Sequence, residues 1–317
     1  MNFLRKLSGL IVAATFLWTS SIYSEGNFFF SPEQIESHLS SYNDREKEDI
    51  AKDLQVVKSV CRVKEAAAKQ RPFYLASAGG PGSRKSTILE RFMQTHPAYQ
   101  TGVYLDPDQR ALKFMAHTYY AQSLNALKAA SSSSYLDVQK AAYEKWRGAS
   151  NYITLSLMEE ALQKRADIVH GTTLTGAYVP EFLQKLRAEG YQITLVISYC
   201  DEDLRKEAIE YRNNEQRFYQ STPEDAVAKG KSFPEKLNIY FNSADTLYLY
   251  WSDDLLADET LAVVFDQGEM KVEPACGCAL DNLMTQYEED RQALKKEGKN
   301  LFSWEELVQN YLTRFKR

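Results

Sequence analysis

The sequence predicts an α/β fold: a parallel sheet covered by helices on both faces, with helical additions at either end. Three observations predict it. Short apolar and β-branched runs alternate with longer stretches of helical periodicity. One of those runs, Phe73 to Ala78, leads into a Gly/Pro-rich turn that opens a helix. The chain has 317 residues with 44% hydrophobic content, enough for one large α/β domain or two small ones.

Residues 1–24 read as a leader. Arg5 and Lys6 precede an almost unbroken apolar run from Leu7 to Trp18, and small residues follow up to Ser24. That order predicts a secretory signal peptide. The run is short for a membrane span, although an uncleaved anchor is the alternative. Export is therefore expected, to the periplasm, the medium or another cell. Membrane contact is expected only through this signal or anchor. Residues 25–70 are expected to form a helical extension. Ser31-Pro32 has the form of an N-cap and first helical residue. Ile50, Leu54, Val57 and Val60 recur at helical spacing.

Residues 71–275 hold the strands, expected at 73–78, 102–105, 167–170, 192–199 and 246–251. The fourth is nearly all apolar or β-branched, as a doubly covered parallel strand should be. A helix follows the first strand as far as His96-Pro97. The stretch from Val138 to Gln163 reads as helices broken near Gly148-Ala149-Ser150. A helix over 180–189 stops at Gly190, and Asp203 to Gln220 reads as a charged helix. Leu261 to Phe265 and Glu269 to Val272 form a hairpin around Asp266-Gln267-Gly268. Residues 276–317 are helical and charge-laced. Ser131 to Ser134 reads as a loop.

A net charge of −5 and a pI near 5.6 argue against a nucleic-acid partner. Cys61 and Cys200 sit in apolar patterns and read as buried thiols. Cys276-Gly277-Cys278 is too tight for a usual zinc pair and has no second pair to support it.

Residues 73–87, FYLASAGGPGSRKST, join a strand, a glycine loop, Lys-Ser and a helix. This is the phosphate-binding arrangement of a P-loop NTPase-like fold. Gly79, Gly80, Pro81, Gly82, Ser83, Arg84, Lys85, Ser86 and Thr87 would cradle the phosphates of ATP or GTP. Backbone N–H groups and the helix N-terminus supply the donors. Lys85 would reach the β- and γ-phosphates, and Ser86 would ligate Mg²⁺. Arg84 stands where the pattern has a glycine.

Ligands of parallel sheets bind beyond the carboxyl ends of the strands, and the remaining candidates fall there. Asp106-Pro107-Asp108 ends the second strand, and one acid, Asp108 by preference, would serve as general base. The alternative is an Asp-Pro turn with a capping aspartate. After the third strand come Gly171, Thr172 and Thr173, with His170 at the strand end as either a substrate contact or a hydrogen-bonded core histidine. Glu159 and Glu160 precede that strand, and one could face the cleft. Arg205, Arg212 and Arg217 follow the fourth strand as candidate cations over the γ-phosphate. They are alternatively a salt-bridged surface helix.

The ordered blocks AGGPGSRKST, VYLDPDQ, LMEEALQKRADIVHGTT and EFLQKLRAEGYQITLVISYCDEDLRKEAIEYR resemble the zeta toxin family of P-loop kinases, over roughly residues 50–252. The resemblance implies transfer of a phosphoryl group from ATP or GTP to a small-molecule hydroxyl, in family members that of UDP-N-acetylglucosamine. It implies Walker roles for Lys85 and Ser86, the base role for Asp108, contact of Thr172 with substrate or phosphate, and a place for Glu159 on the sugar-binding side. Asp106, His170 and Thr173 are read as substrate-side residues from their place at the strand ends alone. A phosphate clamp is implied for Arg205 with Arg212 or Arg217. Arg84 and His170 depart from the family pattern. A nucleotide-binding pseudokinase, or an interaction protein on an inherited P-loop fold, therefore stands as the alternative. No antitoxin-like segment is evident.

Overall fold

The computed structural model describes residues 28–129, 135–215, 219–272 and 277–316. The leader, Ser131 to Ser134, Arg217 and Cys276 lie outside the described residues. Among the described residues no helix is long and apolar enough to cross a membrane.

Seven strands form one sheet: β1 Phe73–Ala78, β2 Val103–Leu105, β3 Ile168–His170, β4 Gln192–Tyr199, β5 Thr246–Trp251, β6 Thr260–Asp266 and β7 Glu269–Lys271. Their order is β2-β3-β1-β4-β5-β6-β7. The first five are parallel, and β6 and β7 close the edge as an antiparallel hairpin.

The helices are α1 Pro32–Glu36, α2 Asp44–Val60, α3 Lys85–Thr95, α4 Tyr119–Ala129, α5 Tyr135–Gln163, α6 Val179–Ala188, α7 Glu202–Asn214, α8 Pro223–Lys231, α9 Pro234–Ser243, α10 Gly277–Lys296 and α11 Trp304–Arg314. The strand period of two sorts β1 between two cores. Tyr74, Ala76 and Ala78 join the larger core with α2, α5, α6 and α9. Leu75 points the other way, into the core made by Ile88, Leu89 and Phe92 of α3. Burying each of those three side chains is worth about 1.5–3 kcal/mol, so α3 is fixed firmly behind the loop that precedes it.

The terminal additions are continuous with the larger core. Phe30, Leu39 and Val57 from one end, and Leu283, Tyr287, Trp304 and Tyr311 from the other, belong to the same buried cluster as the strands. The expected divisions at residues 70 and 276 are therefore not breaks in packing.

Two sequence expectations need correction. The helices expected over 138–163 are one helix, α5, without a break. Gly148 sits inside it because the backbone oxygen of His38 and the hydroxyl of Tyr42 would each lie 3.1 Å from a Cβ there. That hydroxyl donates to the Lys145 carbonyl and accepts from Ala149 N–H, while the Tyr42 ring stacks on Trp146. The helix expected to reach Gln220 ends at Asn214. Two further helices, α8 and α9, fill the approach to β5. Each begins at a proline followed by glutamate, the usual first-turn composition.

Candidate active site

One cleft of about 820 Å³ opens at the carboxyl ends of β1, β2 and β3. It gathers the glycine loop, the Asp106–Asp108 pair, His170 to Thr173, one face of α5 and parts of α7 and α8.

The loop Gly79–Arg84 wraps tightly between β1 and α3. Gly82 has φ +83°, and a Cβ there would lie 2.3 Å from the Arg205 carbonyl oxygen, so only glycine fits. Ser83 N–H and hydroxyl both donate to the Gly80 carbonyl. Lys85 Nζ donates to that same carbonyl at 2.7 Å. Burial, and next the Arg212 guanidinium, bring the Lys85 ammonium down to about 8. Such a cation gains strongly from an incoming phosphate.

Arg84 takes the left-handed conformation, φ +61°, at the N-cap of α3, which explains why the pattern favours glycine there. Its guanidinium is turned outward to the β5–β6 connection and donates to the carbonyls of Asp254 and Ala257. Arg84 lines the cleft as well, with its guanidinium held by that connection.

At the end of β2, Asp106 is buried. Its Oδ1 accepts N–H bonds from Asp108 and Gln109, both at 2.7 Å. This cap starts the π-helical turn Pro107–Ala111. Burial, and then the neighbouring Asp108, raise the Asp106 carboxyl above the usual carboxylate range. The capping alternative thus describes Asp106, while Asp108 lies further out and lines the cleft. Asp108 Oδ1 accepts from Arg147 Nη1 of α5 at 2.8 Å. Gly171, on the neighbouring strand end, makes room for the pair: a Cβ there would meet Asp106 Oδ2 at 2.0 Å.

His170 reaches the cleft floor. Its Nδ1 is hydrogen-bonded to the Tyr74 hydroxyl at 2.7 Å, and burial pushes its pKa down to about 3. It is a neutral, hydrogen-bonded core histidine whose exposed edge touches the site. Thr172 and Thr173 line the cleft too. The Thr172 hydroxyl accepts from Leu174 N–H, and the Thr173 hydroxyl pairs with that of Thr175.

Glu159, Glu160 and Arg205 fall elsewhere, and Gly79, Gly80 and Ser83 belong to the loop without lining the cleft. Glu159 is buried on the far side of α5, where its carboxylate accepts N–H bonds from Phe29 and Phe30 and a bond from Gln163. It fastens the N-terminal segment and does not face the cleft. Arg205 is also buried, and it does not line the cleft. Its guanidinium lies behind the glycine loop, with Nη1 3.0 Å from a Cβ built on Gly80 and 1.2 Å from one built on Gly230. Arg205 and Arg212 share a helix face, but seven residues of rise separate them by about 10 Å. The first therefore braces the loop from behind, and the second reaches the cleft. Arg212 lines it with a buried Nε that has no hydrogen-bond partner.

The sequence reading missed the face of α5. Tyr143, Arg147, Asn151, Thr154 and Leu155 line the cleft. Their spacing of three to four residues, in a stripe beside buried Ala142, Trp146, Ala149 and Ile153, is the signal that was present. His38, from the N-terminal extension, also lines it.

The donors suit a nucleotide with magnesium. Ser86 at the start of α3 and the two aspartates present oxygens to one cleft. Among the described residues no group of three or more His, Cys, Asp and Glu could cage a metal. Magnesium is commonly held by one or two protein oxygens together with substrate phosphates, so the residues present fit it.

A phosphate loop at the carboxyl edge of a mostly parallel sheet, with acids at the carboxyl end of β2 across the intervening β3, defines a P-loop phosphotransferase. A family model for zeta toxins matches residues 58–232, and the chain belongs to the zeta toxin family. No curated protein matches it in sequence. Solved structures share the fold. A chain of the AvrRxo1-ORF1:-ORF2 complex with ATP superposes with a TM-score of 0.52 at 14% identity, covering 93% of this chain and 98% of that one. A chain of the PezAT chromosomal toxin-antitoxin system of Streptococcus pneumoniae superposes with a TM-score of 0.50 at 16% identity, covering 87% and 99%.

Proposed function

We propose that the chain is a kinase that moves the γ-phosphate of ATP or GTP onto a hydroxyl of a small molecule, a sugar nucleotide such as UDP-N-acetylglucosamine. One observation carries the reading: Lys85, Arg212 and Asp108 line a single cleft around the glycine loop. The ATP in the AvrRxo1-ORF1:-ORF2 crystals supports ATP as donor. The leader expected over residues 1–24 supports export.

In this reading the loop N–H groups and Lys85 hold the β- and γ-phosphates. Asp108 takes the proton of the acceptor hydroxyl as its oxygen attacks the γ-phosphorus. The bond from phosphorus to the β–γ bridging oxygen breaks, and the nucleoside diphosphate leaves. Arg212 faces the charge that moves to the leaving oxygen. Ser86 would hold magnesium, which supplies charge neutralisation at the phosphates. Arg147 fixes the aim of Asp108, and Asp106 fixes the turn that carries it.

The test is nucleotide binding and phosphoryl transfer by the full chain beside Lys85→Ala. The reading expects millimolar or tighter ATP or GTP affinity and measurable transfer, both lost in the variant. Binding without turnover would favour a pseudokinase, to which the departures at Arg84 and His170 already point. Absence of binding would remove the kinase reading.

A further inference from the structure

We infer that Arg84 is a positioning residue for the nucleoside end of the nucleotide, acting through the β5–β6 connection. This rests on the kinase reading. The sheet order puts the glycine loop, at the end of β1, between two sides of the cleft. Toward β3 and β2 lie the acids, His170 to Thr173 and the polar face of α5. Toward β4 and β5 the cleft is walled by the β5–β6 connection, through Leu255. In phosphoryl transfer the attacking and leaving oxygens lie roughly in line on opposite sides of the phosphorus. With Asp108 marking the side of the attacking hydroxyl, the leaving nucleoside diphosphate extends toward β5.

The connection it meets there is tied to the phosphate loop by side chains of α3 and its cap. Arg84 Nη1 donates to the Asp254 carbonyl at 3.1 Å and the Ala257 carbonyl at 2.6 Å. Arg84 Nη2 pairs with Glu259 Oε1 at 3.0 Å, and the Glu259 side chain is only 2% exposed. Arg91 pairs with both Glu259 and Asp258 at 2.7 Å. The connection itself supplies a single cap, Asp254 Oδ1 accepting from Leu256 and Ala257 N–H. Leu256 at its tip is 76% exposed. Arg91 holds the far end of the connection, residues 258 and 259, to α3, and Arg84 adds the ties to residues 254 and 257 that lie nearest the loop. A glycine at position 84 would adopt φ +61° without strain but would leave Glu259 short of one partner and the two carbonyls unbound. The arginine therefore links phosphate loop and nucleoside wall into one rigid unit, which favours binding by removing the cost of ordering the wall.

The alternative role for Arg84, direct charge donation to phosphate, gives a different pattern of losses. The experiment compares the affinities of ATP and of inorganic tripolyphosphate, each with Mg²⁺, for the full chain, Arg84→Ala and Glu259→Gln. Both variants should weaken ATP by about tenfold and tripolyphosphate by less than about twofold. Equal losses for the two ligands, or no loss for either, would overturn the inference while leaving the kinase reading intact. Failure of the unaltered chain to bind ATP would overturn the kinase reading and this inference together. Should the variants fail to fold, hydrogen exchange on the unaltered chain decides. ATP should protect residues 254–259 and tripolyphosphate should not, and protection by both or by neither contradicts the inference.

Discussion

Asp106 and Asp108 at the end of β2, and Glu159 and Glu160 near the end of α5, are two close acid pairs on elements that flank the same strand, β3. Their fates differ. Asp106 is capped into a turn that presents Asp108 to the cleft, where Arg147 holds it. Glu159 turns away to gather the N–H groups of Phe29 and Phe30, and Glu160 pairs with Lys58 and Lys164. The first pair lies beyond a strand's carboxyl end, the side where parallel sheets leave room for ligands. The second lies on a helix face that the N-terminal extension covers. An acid's neighbours in space, not the helix or strand that carries it, decide whether it meets ligand or holds chain to chain.

Three experiments would break or sharpen this contrast. Gly171→Ala should have the largest effect. The new Cβ would fall 2.0 Å from Asp106 Oδ2, so the capped turn must shift and Asp108 with it. Misplacing a catalytic group by about 1 Å lowers turnover by about a hundredfold, and single-turnover transfer should read that loss. Turnover within twofold of the unaltered chain would show that Asp106 does not set the aim of Asp108.

The pH dependence of nucleotide affinity comes next. Burial, ahead of Arg212, has brought Lys85 down to about 8 in the free protein, so it loses its proton as pH rises through that value. Bound phosphate favours the charged form, and binding then takes up a proton. ATP affinity should be level below pH 8 and fall above it, by up to about tenfold per pH unit. Titrations between pH 7 and 9.5 check this, and a level profile across the range would contradict it.

Glu159→Ala should act on stability alone. It leaves the N–H groups of Phe29 and Phe30 without their carboxylate, a loss of about 1.5–3 kcal/mol, visible in thermal unfolding. Transfer measured well below the melting temperature should be unchanged. A fall in turnover without a fall in stability would return Glu159 to the substrate side.

The sheet and the phosphate loop were legible because their signals are local. Strand, glycine turn and Lys85-Ser86 are contiguous, and each parallel strand is a compact apolar run between helical stretches. The cleft face of α5 was not legible in the same way. Tyr143, Arg147, Asn151 and Thr154 form a polar stripe, and in a lone sequence such a stripe reads as a solvated face. Arg205 and Glu159 resemble site residues by position, yet each is placed by contacts with distant chain, Gly230 in one case and Phe29 and Phe30 in the other. The turn of Arg84 toward residues 254–257 depends on partners some 170 residues away, beyond the reach of any local pattern.

The most direct test of the central claim, that Asp108 marks the acceptor side of a working kinase, is transfer of labelled γ-phosphate to sugar nucleotides by the full chain and by Asp108→Asn. The account predicts turnover reduced by about 10²–10⁴-fold with ATP affinity retained. Turnover retained in the variant would contradict it.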